Sequence, residues 1–253
     1  MNFIKRIAYN NVIPVIGRML QCRNKFINVI YYHDVVDGEG ESFMRIGFET
    51  FKKQMEYIAS QGYTTCRFDD FQSDQDCCFA EKKVLISFDD GFRSNYSKIY
   101  DLMKSLGLKY NIFLRINEIN TNPNYLNWEM IRTMHQEGLV GFGIHTYSHL
   151  DMSDIGSIKP EIEFSKADYI FKNELGFEPQ DFSYPFGKYS EESNDYISKN
   201  LDYSRIYTSR MMYSYTQNGK IIFARTAISN DDSDGVFRSK LNGYYNVWRL
   251  LLG

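Results

Sequence analysis

Three short stretches carry residues whose types and spacing could do chemistry. Asp89 and Asp90 are adjacent and followed by Gly91, closing the run Val-Leu-Ile-Ser-Phe. His145 and His149 lie four positions apart in His-Thr-Tyr-Ser-His. His33 and Asp34 follow Tyr31-Tyr32. Two imidazoles and a carboxylate make a three-ligand site of the kind a catalytic zinc uses, with one position left open for water. The i, i+4 spacing lets both histidines face one ion, and water on such an ion loses its proton near pH 7. Adjacent carboxylates on a tight turn diverge, so one can bind metal while the other accepts the proton of the attacking water. Gly91 lets the backbone turn where a side chain would block the site. Each stretch alone is ordinary: Asp-Asp-Gly makes turns, and paired histidines occur on surfaces. Their conjunction is what carries chemistry. His135, within a helical stretch, reads as structural.

The elements that must position these residues are strand-like runs alternating with helical patterns. The strand candidates are Val29–Tyr32, Val84–Phe88, Asn111–Arg115, Val140–Ile144, Phe182–Tyr184, Arg205–Thr208 and Ile221–Ala224. Several are continuous apolar runs, as expected of strands buried on both faces of a parallel sheet. Between them, Phe48, Phe51, Met55 and Ile58 mark one helix face, and Ile99, Leu102, Met103 and Leu106 another, before Gly107. Further helices are expected over Trp128–Glu137, Pro160–Leu175 and Ser190–Asn200. Seven strands alternating with helices predict an α/β fold, a single (β/α) barrel. An open doubly wound sheet is the alternative, but no G-x-G-x-x-G follows the first strand. The unusual polar residues, together with Tyr184-Pro185-Phe186-Gly187, all fall at C-terminal strand ends, the face on which barrels place their chemistry.

Composition narrows the rest. The chain has 253 residues, 29 basic against 32 acidic, for a net charge of −3. That argues against a nucleic-acid binder. Aromatic residues are abundant, with 20 Tyr, 19 Phe and 2 Trp. They suit sugar ligands, but most belong to the core. No membrane span is visible, and the first twenty residues lack the long apolar stretch and cleavage site of a signal peptide. Residues 1–27 read as a helical extension preceding a barrel domain over 28–253. Within it Phe3, Ile4, Ile7, Ile16 and Leu20 would give residues 1–20 an apolar face for peripheral membrane association, the alternative to a helix capping the barrel. Cys22, Cys66, Cys77 and Cys78 lack metal spacing and read as reduced thiols, so a cytoplasmic, membrane-peripheral location is expected.

From about Asn28 to Arg225 the chain resembles the polysaccharide deacetylases, the NodB-like metal-dependent amide hydrolases. Ile86-Ser87-Phe88-Asp89-Asp90-Gly91 is similar to the family's T-F-D-D-G motif, which implies Asp89 as catalytic base and Asp90 as metal ligand. His145-Thr146-Tyr147-Ser148-His149 matches H-[S/T]-x-x-H and implies both histidines as the remaining ligands. Ser183 to Gly187 resembles the third motif, so Tyr184, Pro185, Phe186 and Gly187 would line the substrate, the Phe186 N–H facing the oxyanion. The family fold is a deformed (β/α)7 barrel. Three features depart from the family: Ser183 stands where an arginine often steadies the base, the Asp-Trp motif is not visible, and no histidine follows His149 to serve as general acid. Tyr32-His33-Asp34-Val35 resembles the Y-H-D-V segment of the poly-N-acetylglucosamine deacetylase branch, whose motifs are circularly permuted, and implies His33 as the acid. Arg225, near the end of the seventh strand, is the candidate for the missing arginine beside Asp89 and the substrate.

The resemblance implies a hydrolase that removes N-acetyl groups from an N-acetylhexosamine polysaccharide or glycolipid-linked sugar. Its cofactor would be a divalent ion, Zn²⁺ first, with Co²⁺ or Ni²⁺ as substitutes. The rival readings are a deformylase or other amide hydrolase, and a non-catalytic glycan-binding barrel. The glycan, its length and the oligomeric state are not legible.

Overall fold

A computed structural model describes residue 15 and residues 25–244, apart from 155, 157, 158, 160 and 212. Most of the expected 1–27 extension with its membrane face, Cys22, the start of the Pro160 helix and the end of the 28–253 domain lie outside the described residues. Among the described residues, no helix is long and apolar enough to cross a membrane.

Seven parallel strands close into a ring: β1 (Asn28–Tyr32), β5 (Lys83–Phe88), β6 (Tyr110–Leu114), β7 (Val140–Ile144), β8 (Asp181–Ser183), β9 (Arg205–Thr208) and β11 (Lys220–Ala227). The ring closes where β1 pairs with β11 on one side, Val29 opposite Arg225, and with β5 on the other, Tyr32 opposite Phe88. This is the deformed seven-stranded barrel expected. The deformation is local. Strands β7 and β8 share one register pair, Ile144 and Phe182, and β5 and β6 share two. The gap beside β5 is filled by β4 (Thr64–Thr65). Asn111 seals it: its Nδ2 donates to the carbonyls of Cys66 and Ile86, and its Oδ1 accepts from the Phe68 N–H at 2.7 Å. A small parallel pair, β2 (Asp34–Val36) with β3 (Arg45–Gly47), sits after β1, and β10 (Tyr215–Gln217) flanks β11 antiparallel.

Alternation along each strand divides the core in two. Val29, Leu85, Phe113, Tyr207 and Phe223 point into the barrel, where they pack with Phe68 and Phe71. Ile30, Ile86, Ile112, Ile206 and Ile222 point out, under the helices. Those helices are α1 (Phe48–Ser60), α2 (Tyr100–Leu106), α3 (Trp128–Gln136), α4 (Lys166–Leu175), α5 (Glu191–Asn200) and α6 (Asp234–Leu241). Phe51, Met55 and Ile58 form the buried stripe of α1. Asn127 caps α3 by accepting from the Met130 N–H, and Gly107 ends α2 in the left-handed conformation. The Pro160–Leu175 expectation divides: a wider π-type turn over Glu161–Ser165 precedes α4. Inside the narrow barrel there is no room at Gly143, where a Cβ would lie 2.6 Å from the Asp181 carbonyl oxygen and 2.9 Å from the Phe113 ring.

Candidate active site

The same alternation aims the polar residues. His33 continues the inward series Val29, Tyr31; Asp89 continues Leu85, Ser87; His145 continues Gly141, Gly143; and Arg225 follows Ile221, Phe223. All four are at least nine-tenths buried at the C-terminal mouth of the barrel. Asp90 is out of phase with that series. A left-handed turn, with φ 71° at Asp90 and 80° at Gly91, re-aims its carboxylate toward the histidines. His149 (φ 64°) and Thr146 (φ 61°) take the same conformation on the next loop but one. Such backbone costs of order 1–3 kcal/mol per residue and persists where surrounding contacts enforce it.

Asp90 Oδ1 lies 3.3 Å from His149 Nε2 and 3.9 Å from His145 Nε2. Zinc bonds of about 2.0–2.2 Å at tetrahedral angles separate ligand atoms by roughly 3.3–3.6 Å, so the three donors stand close to the spacing one ion needs. Asp90 Oδ1 is buried without a hydrogen-bond partner, which is costly for a carboxylate oxygen unless a cation faces it. His145 Nδ1 lies 2.8 Å from the Ser183 carbonyl. The carbonyl can only accept, so Nδ1 carries the proton and the Nε2 lone pair points at the site. Burial pushes His145 down to about 3 and His149 down to about 4, the latter helped by Arg115. Both are neutral and able to ligate. Burial, and then the charge of Asp89, push Asp90 up to about 7. A carboxylate that is expensive to ionise beside two imidazoles that resist protonation fits a divalent cation, whose charge favours the ionised carboxylate and keeps the imidazoles neutral.

Asp89 is arranged differently. Arg225 forks onto it, with Nη1 to Oδ1 at 2.6 Å and Nη2 to Oδ2 at 2.9 Å, and Nη2 also donates to Ser183 Oγ at 2.7 Å. Burial alone would raise Asp89; the Arg225 guanidinium outweighs it and holds the carboxyl at about 2. Arg225 also lies 4.4 Å over the Tyr31 ring centroid. It is buried beside Asp89 instead of facing the opening. His33 Nε2 stands 4.0 Å from Asp89 Oδ2. Its ring is held edge-on between Tyr31 and Phe43, each 5.5 Å away. Burial lowers the His33 pKa, against an opposing pull from Asp89.

Of the third stretch, Tyr184, Pro185 and Gly187 are buried, and Tyr184 donates its hydroxyl to Asn194 Oδ1. Only Phe186 faces solvent; it is 57% exposed, with its ring centroid 4.5 Å from that of His149. Gly187 has no alternative residue, since a Cβ would meet Ser209 Oγ at 2.0 Å. His135 packs on Phe177 within the helical layer, away from this cluster. Sequence reasoning missed three neighbours: Ser183 as a hydroxyl partner of Arg225, Phe43 against His33, and Glu163, which grips the loop between the two histidines. None sits in a pattern that announces such a contact.

The barrel, its mouth and the ordered strand-end residues define a class of protein, and comparison with known sequences agrees. The chain belongs to the polysaccharide deacetylase family, whose sequence pattern it matches over residues 77–206, just over half of its length. It is 29% identical over 167 residues to YxkH of Bacillus subtilis (strain 168), named for the same family, an alignment covering 65% of this chain and 58% of that one. It is 28% identical over 125 residues to a chitin deacetylase of Arthroderma benhamiae, covering 49% of this chain and 32% of the relative. The chain therefore spans less than two thirds of either relative. Among solved structures, IcaB from Ammonifex degensii superposes with a TM-score of 0.69 over 88% of this chain and 98% of its own, at 19% identity. That likeness is one of fold.

Proposed function

We propose that this chain is a metal-dependent carbohydrate N-deacetylase acting on an N-acetylhexosamine-containing polysaccharide or glycolipid-linked sugar. The observation that carries the reading is the orphaned Asp90 oxygen facing the Nε2 atoms of His145 and His149, with an ionised, arginine-held Asp89 beside it. Asp90, His145 and His149 would hold the ion, zinc before cobalt or nickel. A divalent cation there supplies Lewis-acid polarisation of the amide carbonyl and lowers the pKa of water to about 7.

The protein's own groups do the rest. Asp89, ionised throughout the neutral range, is placed to accept the proton of the attacking water. Pairing with Arg225 lowers the basicity of Asp89 and fixes its orientation. The Phe186 N–H is the candidate donor to the developing oxyanion, the interaction that most often dominates such barriers. His33 protonates the departing amine. Burial lowers its pKa, so it rests neutral near pH 7 and must take up a proton within the cycle; Asp89, 4.0 Å away, supplies it once the two close to hydrogen-bond distance in the substrate complex. Phe186 offers an exposed ring to a sugar face. A groove of about 620 Å³, containing Asp34 and Phe92, the neighbours of His33 and Gly91, also contains Tyr125 stacked on Phe92.

The test is acetate release from N-acetylglucosamine oligomers by the zinc-loaded protein and by Asp89→Asn. Turnover by the wild type and a loss of about 10²-fold or more in the variant are expected. Equal turnover by both would reassign the base, and none by either on acetylated sugars would remove the substrate class.

A further inference from the structure

The turn between the two candidate ligand histidines is strained at both ends, with φ 61° at Thr146 and 64° at His149. One internal contact supports it: the His149 N–H donates to Thr146 Oγ1 at 2.9 Å. The N–H groups of Tyr147 and Ser148 and the Ser148 hydroxyl converge on one residue outside the turn. Ser148 N–H donates to Glu163 Oε2 at 3.0 Å, and Ser148 Oγ to Glu163 Oε1 at 2.6 Å. The Tyr147 N–H donates to the Glu163 backbone carbonyl at 3.1 Å. Glu163 is 5% exposed, so both carboxylate oxygens are spent on these contacts away from bulk water. It sits within the wider π-type turn that precedes α4, an irregularity of the kind that often re-aims a side chain at a functional site.

We propose that Glu163 is a positioning residue for the metal centre: it clamps the Tyr147–Ser148 segment so that His149 keeps the left-handed backbone that turns its imidazole toward Asp90. The inference rests on the reading of Asp90, His145 and His149 as ligands. The two left-handed non-glycine positions that flank Tyr147–Ser148, Thr146 and His149, relax unless the residues between them are fixed, and three hydrogen bonds to one buried residue fix them. Once released, the turn lets His149 swing away while His145, directly after β7 and tied to the Ser183 carbonyl, stays in place. Partners one step removed from a metal typically govern 10–100-fold in affinity.

The experiment is zinc affinity by calorimetry, together with the visible spectrum of the cobalt-loaded protein, for wild type, Glu163→Ala, Glu163→Gln and Ser148→Ala. Glu163→Ala should bind zinc at least 10-fold more weakly and shift the cobalt bands. Glu163→Gln should stay within a few-fold of wild type, because its carbonyl can accept from the Ser148 N–H while the Ser148 hydroxyl rotates to accept from its amide. Ser148→Ala, which keeps the N–H contact, should fall between them and also covers the case of a Glu163→Ala that does not fold. A purely structural role would lower the melting temperature and leave zinc affinity and cobalt spectrum unchanged; that result overturns the proposal. A wild type that binds no zinc removes the metal reading itself, and this inference with it.

Discussion

Arg225 and Asp89, 136 positions apart in the chain, form a two-pronged ion pair inside the barrel mouth, with N–O distances of 2.6 and 2.9 Å. The pair exists because β1 lies between their strands: Val29 is in register with Arg225 on one side and with Leu85 on the other. Ser183 Oγ accepts a third bond from the same guanidinium, so β8 joins the pair formed between the end of β5 and β11.

Arg225→Ala should therefore injure both fold and turnover. It leaves Asp89 buried and unpaired, which costs about 3–5 kcal/mol, and it frees the carboxylate to rotate. Arg225→Lys keeps the charge but cannot span both oxygens and Ser183. The lysine variant should recover most of the melting temperature while remaining at least 10-fold below wild type in kcat. A lysine variant with full kcat would show that charge alone is needed.

Asp90→Asn separates the cost of the site from its use. Without metal the variant should be at least as stable as wild type, because burial and Asp89 both oppose ionisation of Asp90. Zinc at a hundred times its Kd stabilises by about 2.7 kcal/mol, roughly 5–10 °C for a chain of this length. Thermal melts with and without zinc should show that gain in wild type and lose it in Asp90→Asn and His145→Ala. An undiminished gain in either variant would place the ion elsewhere.

His33 can be tested through the leaving group. A sugar amine must be protonated to depart, whereas p-nitrophenolate leaves unaided. His33→Gln should lower amide turnover by about 10²–10⁴-fold and ester hydrolysis by far less. Equal losses on both substrates would make His33 a structural support for Asp89, which it approaches to 4.0 Å.

The fold was legible in the sequence because buried parallel strands are written as apolar runs. Val140–Ile144 and Arg205–Thr208 have the bounds read from the sequence, and the others differ by a few residues at their ends. The extension of β11 past Ala224 was missed because Arg225 and Thr226 are polar and no apolar pattern can announce them; Arg225 is buried with Asp89 and Ser183 to receive it. β2, β3, β4 and β10 were missed for a different reason, since two or three residues are too few to show a period. The candidate site was legible as residue types at strand ends. Its connections were not: that Ser183 serves both Arg225 and His145, or that Glu163 grips Ser148, depends on contacts between separate loops, where spacing carries no information.

Asp168 offers a pH test away from the site. It lies on α4 and accepts from the Tyr203 hydroxyl at 2.7 Å. Burial raises its carboxyl from 3.8 to about 6, against a smaller lowering by that hydrogen bond. A raised folded-state pKa means that the native state binds the proton more tightly than the unfolded chain. Stability from this group is thus fully present below pH 3.8 and is lost as pH rises through about 6. Asp168→Asn keeps an acceptor for Tyr203 and removes the titration. The variant should melt a few degrees above wild type at pH 8, worth about 1 kcal/mol once the side chain's partial exposure is allowed for. The difference should vanish near pH 4, and one that is independent of pH would mean that packing, and not the buried charge, sets the cost of this carboxylate.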